Sequence, residues 1–346
     1  MQPAFIGFRN HLTRQLLFLF TGPSHWGQTA YMAYAEDVWP ACHQGKLQSP
    51  IVIISSNLTY DPNLKPLEIV DKEKQIDLEV INSGQDLRIE LLDTSPAIIV
   101  RSGPLSYDYK VFGALLKFGS TSVQGSDHRI DGVAFPAELQ FYAFNFVLYS
   151  NFSHAVTRPH GLTAISVLMQ LGEQPSADLS ALVTTAEEVQ LKGHSRRLNG
   201  LIISALLPDT KQYITYEGSL PFPACHESVT WIVLNRAVQI TEAQLKALRE
   251  LRIAPFRESG RMSDNFRPTQ NLNNRSVRTN IYFSDKGQHC SVQPRISYFG
   301  KFFCSRLDLY FLCLLLICCV LQQICRVAGN TDCRKPVHPH GLQRKM

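Results

Sequence analysis

Short runs in which apolar and polar residues alternate recur from residue 50 to residue 283, and they limit the fold more than any other feature. They read 50–54 (PIVII), 77–81 (DLEVI), 87–92 (LRIELL), 97–101 (AIIVR), 138–148 (ELQFYAFNFVL), 163–171 (TAISVLMQL), 229–234 (VTWIVL) and 277–283 (VRTNIYF). A period of two puts successive side chains on opposite faces of an extended chain, so each run reads as a strand. Turn formers separate them, among them Ser83-Gly84, Ser102-Gly103-Pro104 and Pro159-His160-Gly161. Helical periodicity is confined to 176–188 and 241–251, the second opening on Thr241 as a cap. The expectation is an α/β domain dominated by its sheet, with peripheral helices.

Composition supports one large core and argues against a polyanion partner. Hydrophobic residues make up 45% of the 346 residues. The formal charge of +5 is spread along the chain without a Lys/Arg block, and no nucleic-acid-binding motif occurs. Of the nine cysteines, Cys42, Cys225 and Cys290 precede residue 300, and none belongs to a CxxC pair. Three N-x-S/T sequons, at Asn57, Asn151 and Asn274, favour a secretory route.

The two ends suggest targeting. Residues 1–23 read as a leader and a weak signal sequence. Arg9 and Arg14 precede the apolar run at 16–20, which is shorter than the ~7–15 residues of an ordinary signal core; a disordered leader is the alternative. Residues 24–286 form the body and 287–306 a stalk. Residues 307–325 read as a transmembrane helix at the lower length limit, a buried helix being the alternative. The basic tail at 326–346 places that end in the cytoplasm. The expected location is extracellular, as a secreted or type I single-pass membrane protein.

Several segments carry a resemblance to a known family. They are GPSHWG (22–27), LQSPIVI (47–53), FGSTSVQGSDH (118–128), AELQFYAFN (137–145), LYSNFS (148–153), YEGSLPFPACHESVTWIVLN (216–235) and MSDNFRPTQNLNNRSVRTNIYF (262–283). In order and spacing the chain resembles the α-carbonic anhydrases, and especially their related proteins of the ten/eleven branch. The resemblance implies a central, twisted, mostly antiparallel sheet of about ten strands.

It also implies a place for each catalytic part, and this chain departs at most of them. Hydration of carbon dioxide uses zinc on three imidazoles, with a bound water whose pKa falls to about 7. The three ligand positions fall on Leu115, Lys117 and Gln140. Leucine has no donor atom, lysine is cationic at neutral pH, and glutamine is a poor ligand for zinc. The glutamine that orients the first imidazole corresponds to Gly113, whereas the second acceptor is kept as Glu138. The threonine hydroxyl over the bound water corresponds to Pro221, followed by Phe222. Its orienting carboxylate is kept as Asp127, and the proton-shuttling histidine becomes Gln85. His128, beside Asp127, is expected to be a hydrogen-bonded core histidine, and Trp231 a core residue.

The resemblance further implies a disulfide between Cys42 and Cys225. It leaves Cys290 as a candidate for an intermolecular bond to a neurexin-type cell-surface receptor, a bond to Cys304 being the alternative. The resulting expectation is a catalytically inactive protein-binding scaffold that needs no cofactor. The alternative is a zinc-dependent carbonate dehydratase or esterase with atypical ligands.

Overall fold

A computed structural model describes residues 39–282. Its strands are β1 (Val52–Ile53), β2 (Thr59–Tyr60), β3 (Leu67–Val70), β4 (Gln75–Asn82) and β5 (Leu87–Leu91). They continue with β6 (Ile99–Ser102), β7 (Tyr109–Phe118), β8 (Arg129–Ile130), β9 (Ala137–Asn145) and β10 (Leu162–Leu171). The last five are β11 (Ser195–Ile202), β12 (Tyr213–Gly218), β13 (Val229–Leu234), β14 (Val238–Ile240) and β15 (Arg278–Thr279). The α-helices are α1 (Ala41–Gln44), α2 (Phe152–Ala155), α3 (Ala177–Glu187) and α4 (Glu242–Leu248).

Thirteen strands form one sheet, whose main path runs β11-β4-β5-β7-β9-β10-β13-β12-β15-β2. Ten strands on that path agree with the expected sheet. Most pairs are antiparallel, but β10 pairs in parallel with β13 and β14, and β15 with β2. β7 and β9 lie at the centre, and alternation along them separates two cores. Ala114, Leu116 and Phe118 face one core, which α3 and α4 cover with Leu179, Leu182, Leu245 and Leu248. Leu115 and Tyr142 face the other, with Trp231, Phe222 and Cys225. Both faces of the middle strands are covered, which is why 137–145 is buried almost throughout.

Local chemistry sets the ends of the elements. Ser176 caps α3 by accepting from Leu179 N, and Thr241 with Gln244 forms a reciprocal capping box on α4. The run at 138–148 continues past the strand it predicts. β9 stops at Asn145 because its Oδ1 accepts from the amides of Val147 and Leu148 and turns the chain. Strands β2, β3, β7, β8, β11, β12 and β14 are absent from the alternating runs. β11 is an edge strand carrying Arg196 and Arg197, with a register shift between Leu198 and Leu201 and Gly200 at φ 73°.

Cys42 and Cys225 are bonded, joining α1 to the loop between β12 and β13. The leader at 1–23, the stalk at 287–306, the span expected at 307–325, the tail at 326–346 and Cys290 lie outside the described residues. Among the described residues no helix is long and apolar enough to cross a membrane.

The disulfide closes a loop across a sequence separation of 183. The Cys42→Ser/Cys225→Ser variant is expected to lose about 4 kcal/mol of folding free energy, read by urea denaturation against the oxidised parent.

Candidate functional site

The three positions that the resemblance assigns to metal ligands meet on the face of β7 and β9 opposite α3 and α4. Leu115 and Lys117 are two residues apart on β7 and share that face. Gln140 pairs directly with Leu115 across the ladder, and Glu138 pairs with Lys117. All four are buried. The chemistry there is that of a filled polar core.

Lys117 Nζ donates to Asp86 Oδ1 at 2.6 Å and to the carbonyl of Asn265 at 3.1 Å. Burial alone would lower the ammonium's pKa, but the carboxylates of Asp86, Asp127 and Glu138 raise it above the ordinary lysine value. Lys117 is therefore a cation at every physiological pH. Its partner is held by a tight turn ahead of β5. Asp86 N donates to Ser83 Oγ, and Gly84 N donates to Asn82 Oδ1. Gly84 sits at φ 85°, and a Cβ there would lie 2.8 Å from the carbonyl of Ile253. Asn265 is fixed to β7 in turn, accepting from Phe118 N and donating to Leu116 O.

The Gln140 amide is equally committed. Its Nε2 donates to Asp127 Oδ2 at 2.8 Å and to Glu138 Oε1 at 2.9 Å, and its Oε1 accepts from Tyr142 Oη at 2.6 Å. An amide nitrogen has no lone pair free for a metal. Leu115 adds only apolar surface. Across the floor lie the Tyr142 and Phe222 rings, with centroids 5.8 Å apart, and Trp231 stands 6.1 Å from Tyr142.

The two retained carboxylates have new partners. Glu138 accepts from His128 N, Gln140 Nε2 and Ser166 Oγ, and lies 2.8 Å from His128 Nδ1. Burial opposes its charge, but these donors hold the Glu138 carboxyl below the usual range. His128 Nε2 is 2.7 Å from Tyr216 Oη, which donates to Ser49 Oγ. His128 is thus a core histidine fastened at both nitrogens. Asp127, with no threonine hydroxyl to orient at Pro221, accepts from Gln140 and from Arg267 N at 2.6 Å. Burial pushes Asp127 up to about 6, against the pull of Lys117. The Arg267 side chain donates to Gln48 Oε1 and to the carbonyls of Ser49 and Cys42, linking this cluster to the disulfide.

Gln85 is half-buried in the 82–86 turn and Pro221 is buried. The sequon asparagines Asn57, Asn151 and Asn274 are all exposed. Asp86, Tyr142, Asn265 and Arg267 are site residues that the sequence reading did not single out. Tyr142 was within reach, since it follows Gln140 by two residues on one strand and so shares its face. Asp86 was not, because its contact with Lys117 spans 31 residues.

A model of the eukaryotic-type carbonic anhydrase domain matches residues 21–281. The chain belongs to this family. It is 39% identical over 272 residues to carbonic anhydrase-like protein 2 of Caenorhabditis elegans, covering 77% of this chain and 78% of that protein. Carbonic anhydrase 7 of Homo sapiens, and likewise that of Mus musculus, is 35% identical over 262 residues, covering 75% of this chain and 94% of theirs. The sheet-dominated architecture is that of a carbonic anhydrase. The zinc that carbonic anhydrase chemistry calls for does not fit the donor set at 115, 117 and 140. Among the described residues no group of three or more His, Cys, Asp and Glu side chains is placed to hold a metal ion.

The raised Asp127 pKa has a definite sign. The folded value lies above the ordinary 3.8, so its favourable contribution is complete below pH 3.8 and is lost as pH rises through about 6. Between pH 4 and 7 the parent should lose stability relative to Asp127→Asn, on the order of 2 kcal/mol. Urea midpoints of the two proteins across that range measure it.

Proposed function

We propose that this chain is a catalytically silent carbonic anhydrase-related protein that serves as an extracellular protein-binding scaffold. The observation that carries the reading is the Lys117 ammonium, paired with Asp86 and buried where the family resemblance puts a metal-binding imidazole. Three further replacements support it independently. Gln140 is consumed by internal hydrogen bonds, Pro221 offers no hydroxyl, and Gln85 does not titrate near neutral pH. The name of the Caenorhabditis elegans relative, carbonic anhydrase-like, agrees with such a reading.

The extracellular part of the proposal draws on the Cys42–Cys225 disulfide and on three exposed sequons, Asn57, Asn151 and Asn274. With Cys42 and Cys225 joined, Cys290 is left for an intermolecular bond to a receptor of the neurexin type. Forming that bond transfers two electrons and two protons to a disulfide donor. The 307–325 run would tether the scaffold to a membrane.

A second reading, a zinc-dependent carbonic anhydrase or esterase with atypical ligands, draws on the 35% identity with carbonic anhydrase 7. Metal analysis of the purified full-length chain, with a carbon dioxide hydration assay beside it, separates the two. The scaffold reading expects no stoichiometric zinc and no hydration above the uncatalysed rate; either one would establish the enzyme instead. For the partner, a non-reducing pull-down from cells expressing neurexin-type receptors should yield a reducible adduct that Cys290→Ser abolishes. Persistence of the adduct in that variant would remove Cys290 from the proposal.

A further inference from the structure

The floor of the site gathers three carboxylates, Asp86, Asp127 and Glu138, on the strands and turns around β7. All three are buried, with exposures of 6%, 1% and 0%. A cluster of this kind is tolerated only when cations or donors face it closely. Zinc on neutral imidazoles would bring two positive charges to such a floor. Here the cations are side chains. Lys117 acts on all three acids, and the Arg267 guanidinium, 3% exposed, acts on Asp127 from the side of the disulfide.

The two cations are not equivalent in what they support. Arg267 spends its side-chain donors on Gln48 Oε1 and on the carbonyls of Ser49 and Cys42. Lys117 directs one donor to a carboxylate at 2.6 Å and one to the Asn265 carbonyl at 3.1 Å. Asp86, its partner, has no ion pair other than Lys117 among the described residues. Each member is therefore the condition for burying the other. Asn265 completes the seat, because its side chain ties the accepting carbonyl to the same strand that carries the lysine.

We propose that the Lys117–Asp86 pair is a built-in replacement for the metal: the ammonium is the structural cation of the floor, and Asp86 is its dedicated counter-ion. The inference rests on the silent-scaffold reading and extends it. The scaffold holds its shape without a divalent ion because it carries its own cation, and that cation repels any metal approaching the floor.

A double-mutant cycle on the full-length chain tests this, with Lys117→Met, Asp86→Asn and the double variant compared by thermal unfolding. Each single variant leaves one buried charge unpaired and should lower Tm by roughly 10 °C. The double variant removes both charges and should recover at least about half of that loss, since a pair of buried charges can be replaced by neutral groups at little cost. Single variants that unfold at the parental temperature, or a double variant whose loss is the sum of the singles, would overturn the proposal. Should Lys117→Met fail to fold, the parent itself decides. In protein labelled with lysine-¹⁵N, the Lys117 ammonium should give a resonance shielded from water exchange and unchanged from pH 7.5 to 9.5, above the ionisation of Asp127 at about 6. A resonance that titrates in that range, or exchanges as fast as surface lysines, refutes a permanent internal cation. The outcome is separable from the proposed function. Stoichiometric zinc in the parent defeats the scaffold reading, whereas a zinc-free parent with an uncoupled Lys117 and Asp86 defeats only this inference.

Discussion

A carboxylate sunk in a sheet interior must find donors for its lone pairs, because no water reaches it, and on the central strand β9 that demand falls on Glu138. Gln140, Ser166 and both the ring and the backbone of His128 meet it. From His128 the requirement passes to Tyr216 and Ser49, and from Gln140 to Tyr142 and Asp127. Asp127 in turn engages Arg267, whose guanidinium reaches back to the residues that flank the disulfide. Strands β9, β10 and β12, the 127–128 segment and the segment around 48–49 are thus joined by one polar thread on the side of the sheet away from α3 and α4. Networks of this type fix register and side-chain placement more sharply than apolar packing does.

That thread shows how a carbonic anhydrase frame is held around Leu115, Lys117 and Gln140. In a zinc enzyme the acceptors behind the metal ligands aim imidazoles. Here Glu138 engages the Gln140 amide and the core histidine His128, and Asp127 engages the same amide. Aromatic rings then complete the floor, with Tyr142 between Phe222 and Trp231.

Much of this is readable from residue order, for reasons that differ by element. Strands in the centre of the sheet announce themselves because both faces are covered, as with 137–145, 162–171 and 229–234. Helices α3 and α4 show through the periodicity of 176–188 and 241–251, the second also through its Thr241 cap. Strand β11 is hidden because an edge with one open side admits arginines and a glycine that interrupt alternation. The end of β9 is misjudged because Phe146, Val147 and Leu148 prolong the apolar run, while the turn is made by the side chain of Asn145. At the site, the vacated ligands are visible as letters at known spacing, but what occupies the space is not. The ammonium of Lys117 implies some acid nearby, yet only tertiary structure identifies Asp86, since the turn that presents it belongs to a different strand pair.

The irregularity of β11 has a colloidal consequence. An eight-residue edge strand can dock a passing extended chain, but here Asp77 and Asp178 take the amides of Gly200 and Ile202. The offset between Leu198 and Leu201 breaks the regular spacing of that edge, and the neighbouring guanidinium groups of Arg196 and Arg197 repel a second copy laid alongside. The margin is thereby poorly suited to pairing edge to edge with a second copy.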